Sequence, residues 1–150
     1  MRAIIQRVSR ASVVINSVEK SKIGFGLLVL LGVEPSDTHE DVEWLAAKIL
    51  NLRIFDDGNG LMNLSVVDKR AELLVVSQFT LFAATKKGNR PSFIRAAKPE
   101  FAVPMYEQFI SELQKLSSLN VRTGEFGADM KVELLNDGPV TIWIDTKNKE

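Results

Sequence analysis

The sequence predicts one α+β domain spanning residues 1–150, with two main helices packed on a mostly antiparallel or mixed β-sheet, either barrel-like or layered. Apolar and polar residues alternate in the first third of the chain, as in half-buried strands. Two longer runs are apolar throughout, which is typical of strands buried on both faces. Two further segments carry apolar residues at helical spacing. With 45% hydrophobic residues, a chain of this length can bury a sizeable core.

Strand patterns occur at both ends of the chain and in its middle. Residues 4–9 and 12–18 alternate, and residues 23–33 form a long apolar run. Near the start of this run, Gly24 and Gly26 indicate a bulge or a close approach of two backbones. Four later strands are predicted at residues 72–79, 121–126, 131–135 and 140–145.

Two amphipathic helices are predicted. Asp37 or Thr38 can cap the first, and Glu40 lies three residues after Asp37, as in a capping box. The buried face of this helix is predicted to carry Val42, Leu45, Ala46 and Ile49. The second helix is predicted to start near Pro104, because proline is tolerated in a first turn. Its inward residues are predicted to be Met105, Phe109, Leu113 and Leu116.

Composition excludes several classes of function. Cysteine is absent, which rules out disulfides, thiolate metal sites and cysteine nucleophiles. His39 is the only histidine and falls at a predicted helix start, where a solvent-facing role is favoured over a catalytic triad. We predict neither a metal ion nor a cofactor. No apolar run approaches the roughly 20 residues that cross a bilayer, and the first residues lack a signal-peptide pattern. A cytoplasmic protein without membrane contact is therefore expected.

One polar segment follows a predicted buried strand. Ser77, Gln78 and Thr80 place three polar side chains within four positions, at a point where backbone amides leave the sheet and can face a ligand. Burying such groups is costly unless they are paired or used. A structural role, in which they tie down the strand end, remains open at this level.

A second segment contains Asn136, Asp137, Gly138 and Pro139, a combination typical of turns. A hairpin turn between the last two strands is one interpretation. The other is a cis proline, which occurs at about 5–6% of such bonds in folded proteins. A cis bond would direct the neighbouring carbonyls rigidly to one side, which suits a steric gate. The pattern alone leaves both interpretations open.

These two segments resemble the signature pair of the D-aminoacyl-tRNA deacylases, also called D-tyrosyl-tRNA deacylases. The resemblance extends in order over essentially the whole chain. Besides residues 77–81 and 136–141, it includes residues 2–13, 28–33, 53–55, 62–64, 90–93 and 123–130.

The resemblance implies a homodimeric hydrolase that cleaves the ester between a D-amino acid and the 3′-terminal adenosine of tRNA. It implies action on glycyl-tRNA as well, because glycine has no side chain for a chiral gate to reject. In this family the glycine–proline bond is cis and reaches into the active site of the other subunit. Gly138 and Pro139 would then form the gate, next to Asn136.

The resemblance also implies roles for the other segment. Backbone amides around Gln78 and Phe79 would hold the substrate carbonyl, and Phe79 would flank the adenine pocket. Ser77 and Thr80 would position polar groups at the ester. The resemblance further suggests Met130 and Arg7 as residues that line or brace the pocket.

The mechanism must work without a strong side-chain base, because there is no cysteine and no well-placed histidine. We therefore favour attack by water, with backbone amides stabilising the oxyanion and the terminal 2′-hydroxyl of tRNA assisting. Two alternatives remain: an esterase that uses Thr80 as its nucleophile on small substrates, and a non-catalytic tRNA-binding module. The net charge is zero, so a phosphate-binding patch must be local; Lys86, Lys87 and Arg90 are the candidates, with Arg95 and Lys98 nearby.

Overall fold

A computed structural model describes residues 1–149 and contains eight strands and two α-helices. The helices and one 3-10 turn, Phe79–Phe82, separate the strands into groups of three, three and two. The elements in chain order are β1 Arg2–Ile15, β2 Val18–Ile23, β3 Gly26–Gly32, α1 His39–Asn51, β4 Phe55–Asp56, β5 Met62–Leu64, β6 Glu72–Ser77, α2 Pro99–Leu116, β7 Val121–Thr123 and β8 Lys131–Asp145.

The long strand β1 organises the sheet. Its first half pairs with β3 and its second half with β2, while β8 runs along its other edge; all three pairings are antiparallel. Beyond β3 the sheet continues through β6 and β7 in parallel. The Ser21 hydroxyl donates a hydrogen bond to the Thr123 carbonyl, which joins β2 to β7. The mixed sheet is therefore nearly closed into a barrel, and the predicted α+β single domain is confirmed.

Two apolar clusters occupy the two faces of this sheet. The larger one packs α1 and α2 against β1, β3 and β6 and includes Phe55 and Phe109, both fully buried. The smaller one fills the opposite, inward-curving face with residues such as Val13 and Leu74. In β1 the pairing shifts between Val8 and Arg10, so the face to which its side chains point changes along the strand.

The helices differ from prediction at their ends. Thr38 caps α1, and its N–H donates to the Asp41 carboxylate at 2.8 Å, so the capping pair is Thr38 and Asp41 rather than Asp37 and Glu40. Asp37 instead accepts a hydrogen bond from the amino group of Met1. The second helix starts at Pro99, five residues before the predicted start at Pro104.

One residue on the predicted buried face of α2 is wrong. Pro99 occupies the first helical position, where a missing N–H costs little, and Pro104 lies inside the helix. Of the residues predicted to point inward, Leu116 is exposed at the last turn, whereas the others are buried. The predicted face of α1 is buried as expected. Within residues 1–149, no helix has the combination of length and apolar character that crossing a membrane requires.

The close approach predicted at the start of β3 occurs at Gly26. A Cβ atom added there would lie 2.0 Å from the carbonyl oxygen of Glu72, its partner residue in β6. Glycine therefore permits the parallel pairing of β3 with β6, which in turn positions the end of β6.

We expect the Gly26→Ala substitution to destabilise the fold by about 2 kcal/mol or more, because the new methyl group would push β3 and β6 apart. Urea unfolding followed by circular dichroism would measure the change. Gly58→Ala is the matched control, since a Cβ at Gly58 meets nothing within 4 Å. Equal midpoints for the two variants would contradict this account of the β3–β6 contact.

Candidate active site

A cavity of about 270 Å³ lies beyond the end of β6, between the 3-10 turn, α2 and the chain that links β7 to β8. Four of the residues singled out in the sequence line it: Ser77, Gln78, Phe79 and Met130. The remaining lining residues are Leu31, Val33, Val76, Ala97, Ala102, Tyr106, Phe126, Gly127, Ala128, Asp129 and Val132. The cavity is thus a mainly apolar pocket with a few polar groups at one strand end, a common form for small-ligand sites.

Three contacts fix the 3-10 turn that follows β6. The Gln78 N–H donates to the Leu31 carbonyl at 2.7 Å, which keeps the chain beside β3 after β6 has ended. Arg2 donates from Nη1 to the Leu81 carbonyl at 2.9 Å and lies over the Phe82 ring, 4.6 Å from its centre. Gly32 leaves room for this ring, since a Cβ there would lie 3.0 Å from it.

Some hydrogen-bonding groups of the 3-10 turn already have partners within the chain. The Gln78 side-chain amide donates to the Thr80 hydroxyl oxygen. Because the Gln78 backbone N–H is already bonded to Leu31, it is not free to hold a substrate carbonyl, which corrects that part of the expectation. Among residues 1–149, the N–H groups of Phe79 and Thr80 have no acceptor. The available donors are therefore displaced one residue towards the C-terminus.

Tyr106 lines the cavity from α2, a role that was not predicted although Tyr106 lies inside the helix predicted from Pro104. Its hydroxyl donates to the Val75 carbonyl at 2.8 Å. Burial raises the pKa of Tyr106 well above its ordinary value, so this hydroxyl stays protonated at neutral pH. Its ring meets Phe126 edge to face, with centres 6.1 Å apart. Tyr106 therefore lines the cavity as a neutral side chain and does not act as a base.

Met130 is held against the opposite wall. Its sulfur accepts a hydrogen bond from the Glu125 N–H at 3.4 Å. A Cβ added to Gly124 would lie 2.5 Å from the same sulfur, so a larger residue there would require the flexible Met130 side chain to move. The predicted role of Met130 as a lining residue thus agrees with its position, and Gly124 is the neighbour that makes this position available.

The second predicted segment is not a hairpin. Residues 131–145 form one continuous strand, β8, and the chain between Asn136 and Thr141 bulges out of it. On β1, Gln6 pairs with Thr141 and Val8 pairs with Asn136, so four residues of β8 face a single residue, Arg7. The Gly138–Pro139 bond is cis. The two separate terminal strands of the prediction are therefore one strand interrupted by a bulge.

Arg7 holds this bulge from β1. Its side chain is only 7% exposed, and Nε donates to the Asp137 carbonyl at 3.1 Å and lies 3.2 Å from the Asp137 carboxylate. Nη1 donates to the Ile54 carbonyl at 2.7 Å and to the Asp56 carboxylate at 3.2 Å. Gly138 has a φ of +128°, and a Cβ there would lie 3.0 Å from Nη2 of Arg7. Arg7 thus braces the bulge rather than the cavity of its own chain.

Asn136 closes the bulge from within. Its side-chain oxygen accepts from the Val140 N–H at 3.0 Å, and its Nδ2 donates to the Val140 carbonyl at 3.2 Å. Gly138 and Pro139 are left exposed and do not line the cavity described above. The predicted residues therefore fall into two clusters, one at the end of β6 and one in the middle of β8.

The remaining predicted residues lie outside both clusters. Lys86, Lys87 and Arg90 are exposed in a loop that pairing between Ala84 and Ser92 closes. Among residues 1–149, none of these three cations has an acidic partner.

His39 contacts Glu43 on the surface of α1, with Nε2 3.1 Å from the carboxylate, as the solvent-facing interpretation predicts. In the described part of the chain, no group of three or more acidic or histidine side chains could hold a metal ion.

Comparisons with known proteins identify the family. The family model described as D-Tyr-tRNA(Tyr) deacylase matches residues 4–145. Proteins named D-aminoacyl-tRNA deacylase from Bacteroides fragilis (strain YCH46) and Parabacteroides distasonis are 62% and 63% identical to this chain, with full coverage of both chains in each case.

Solved structures agree with this result. The c-Myc DNA Unwinding Element Binding Protein is 45% identical and superposes with a TM-score of 0.91, covering 97% of this chain and 98% of its own. A probable eukaryotic D-amino acid tRNA deacylase, at 17% identity, has the same fold with a TM-score of 0.82, covering 95% of this chain and 97% of its own. The two segments that frame the site, at the end of β6 and in the bulge of β8, both lie within residues 4–145, and the chain belongs to the D-Tyr-tRNA(Tyr) deacylase family.

Proposed function

We propose that this chain, as a D-aminoacyl-tRNA deacylase, acts as a homodimer in which Gly138 and Pro139 of each subunit enter the cavity of the other. The reaction is hydrolysis of the ester between a D-amino acid, or glycine, and the 3′-terminal adenosine of tRNA. The observation that carries the proposal is the separation of the two clusters. The cluster at the end of β6 lines the cavity. The cluster in β8 holds the exposed Gly138 and Pro139, which do not line that cavity.

The exposed surface around the gate supports the homodimer. β8 is paired with β1 along one edge only. Leu135 and Trp143, on either side of the bulge, are large apolar residues that are exposed in the single chain. A free strand edge beside large exposed apolar residues is a surface that proteins normally cover. A second copy would cover it while bringing its own Gly138 and Pro139 to the pocket.

The gate would select by shape. Its rigid carbonyls would leave room for the Cα hydrogen of a D-residue and would collide with the side chain of an L-residue. Rigidity is what this function requires, and the contacts of Arg7 and Asn136 with the bulge supply it. Glycine has no side chain, so a glycyl ester would also pass the gate.

Hydrolysis would use water as the nucleophile. Water attacks the ester carbonyl, the N–H groups of Phe79 and Thr80 donate to the resulting oxyanion, and the 3′-oxygen of the ribose leaves with a proton. The neighbouring 2′-hydroxyl of the substrate can relay that proton. In other hydrolases one oxyanion donor accounts for a factor of about 10²–10³ in turnover, and an aminoacyl ester is already reactive. Such a site needs no strong base.

The alternative with Thr80 as a covalent nucleophile has little support. The partner of its hydroxyl oxygen is the Gln78 amide, which donates a hydrogen bond and cannot remove a proton. His39 is committed to Glu43 at the surface of α1. We therefore assign Thr80 a positioning role next to the free amides.

The loop between Ala84 and Ser92, called the basic loop, would contact the tRNA beyond its terminal adenosine. Lys86, Lys87 and Arg90 would contact phosphates, because they are exposed and carry no acidic partner among residues 1–149. Because aminoacyl-tRNA is used in translation, we expect the enzyme to work in the cytoplasm.

We expect the chain to hydrolyse D-tyrosyl-tRNA at least 100-fold faster than L-tyrosyl-tRNA, and Gly138→Ala to lower that ratio by about tenfold or more. The added methyl group would displace Arg7 and the gate, and a misplaced group of methyl size changes discrimination by about 1–3 kcal/mol. Release of labelled amino acid from each ester gives both kcat/KM values.

Gly60→Ala serves as the control, because Gly60 also has a positive φ, +76°, but no neighbour within 4 Å. An unchanged ratio in Gly138→Ala would remove the gate from the mechanism. Hydrolysis of neither ester by the unmodified chain would leave the tRNA-binding module as the better function.

Thr80→Val, which keeps the shape but loses the hydroxyl, should retain turnover within about tenfold of the unmodified enzyme. Loss of a covalent nucleophile costs about 10⁶ in a serine hydrolase, so the two roles are widely separated. Single-turnover hydrolysis of D-tyrosyl-tRNA measures the change. Loss beyond 10⁴-fold, together with an acyl group trapped on Thr80 in the unmodified enzyme, would establish the esterase alternative.

Replacing Lys86 and Lys87 by Gln should weaken binding of tRNA and make it less dependent on salt. Each lost phosphate contact lowers the slope of log K against log salt concentration by about 0.7–0.9. Titration at several salt concentrations gives the slope. Lys20 and Lys22, which face Glu125 and Glu19, provide a matched double replacement that should leave the slope unchanged. The same slope in both double variants would contradict the patch.

A further inference from the structure

A tight turn stands at the mouth of the cavity. The Ala96 N–H donates to the Phe93 carbonyl at 3.0 Å, which closes the turn over residues 93–96. On one side, the Phe93 ring meets the cavity residue Phe79 edge to face, with centres 5.1 Å apart. On the other side, Ala97 lines the cavity and is bonded through its N–H to the Val33 carbonyl at 2.9 Å. Both ends of the turn are thus fixed to the cavity wall.

The tip of this turn carries an isoleucine. Ile94 is 88% exposed, the highest value among the exposed large apolar residues of the described chain. Positions in the middle of a turn normally hold glycine, proline or small polar residues, since these satisfy the backbone and face water. Phe79, next to the turn at the cavity wall, is itself 56% exposed. The mouth therefore presents an apolar surface that the fold of the chain does not require.

We propose that Ile94 and the adjacent Phe79–Phe93 pair form a platform for the base of the nucleotide that precedes the terminal adenosine of the substrate. This inference rests on the proposed function. Its partner is unpaired RNA: a flat base that packs on apolar side chains, joined to phosphates that need cations. With the reacting end of the substrate in the cavity, the preceding nucleotide would lie at its mouth.

The charges around the turn favour RNA over another protein surface. The turn follows directly from the basic loop, to which it is joined at Ser92 by the pairing with Ala84. Lys86, Lys87 and Arg90 stand in that loop without acidic partners among residues 1–149. Interleaved cations and apolar side chains suit single-stranded nucleic acid, because the cations follow the backbone while the apolar groups take the bases.

The test compares two substrates of different length. The unmodified enzyme and the Ile94→Ser variant would be assayed with D-tyrosyl-tRNA and with D-tyrosyl-adenosine, which contains only the terminal nucleoside. We expect Ile94→Ser to lower kcat/KM about fivefold on the tRNA ester, which is the lower end of the effect of removing an aromatic ring stacked on a base, because Ile94 is aliphatic. On the adenosine ester the variant should match the unmodified enzyme. Leu61→Ser, at a residue 65% exposed in a distant loop, is the control.

A second variant strengthens the test. Ile94→Trp offers a larger flat surface and should equal or exceed the unmodified enzyme on the tRNA ester. Equal loss on both substrates in Ile94→Ser, or a change in sedimentation that signals a lost subunit contact, would overturn the platform. Unchanged kcat/KM on the tRNA ester would overturn it too. Failure of the unmodified enzyme on both esters would instead refute the proposed function.

Discussion

The buried guanidinium of Arg7 is the interaction on which the arrangement of the site depends. A charge buried this deeply is costly unless its donors are satisfied and its charge is balanced. Two backbone carbonyls, of Ile54 and Asp137, and two carboxylates, of Asp56 and Asp137, meet both needs. Because these partners come from two separate parts of the chain, residues 54–56 and Asp137, satisfying Arg7 also fixes where the bulge of β8 lies relative to β1.

The same contacts favour one long strand with a bulge over two short strands joined by a hairpin turn. β8 pairs with β1 on both sides of the bulge, so its two halves cannot rotate independently. Four residues are forced outward opposite Arg7, with Gly138 at their centre. Their position is therefore set by the sheet and not by the turn itself. A loop at a hairpin end would have no comparable support, and a steric selector requires that its atoms stay in place.

Local patterns predicted much of this molecule, and the errors have one physical origin. The buried strands, the inner face of α1 and the polar segment at the end of β6 follow from periodicity and polarity within a few residues. The sequence of residues 136–139 is equally compatible with a hairpin, and only its pairing with Gln6 and Val8, about 130 residues away, decides for a bulge. Tyr106 was missed for a similar reason, since its contact with Val75, 31 residues earlier in the chain, exists only in the folded structure.

A site built mainly from backbone groups accounts for a composition that lacks the usual catalytic side chains. The chain has no cysteine, and its one histidine lies beside Glu43 at the surface of α1, so the proposed mechanism relies on N–H groups, carbonyls and shape. Backbone groups are fixed by the fold, so they need no side chain to be held in a particular rotamer. The residues that matter are then those that permit a backbone position: Gly32 beside the 3-10 turn, Gly124 beside Met130, and Gly138 beside Arg7. At each position an added Cβ would lie within 3.0 Å of the neighbouring side chain and would require it to shift, so the demands on the sequence fall on glycines and on their neighbours.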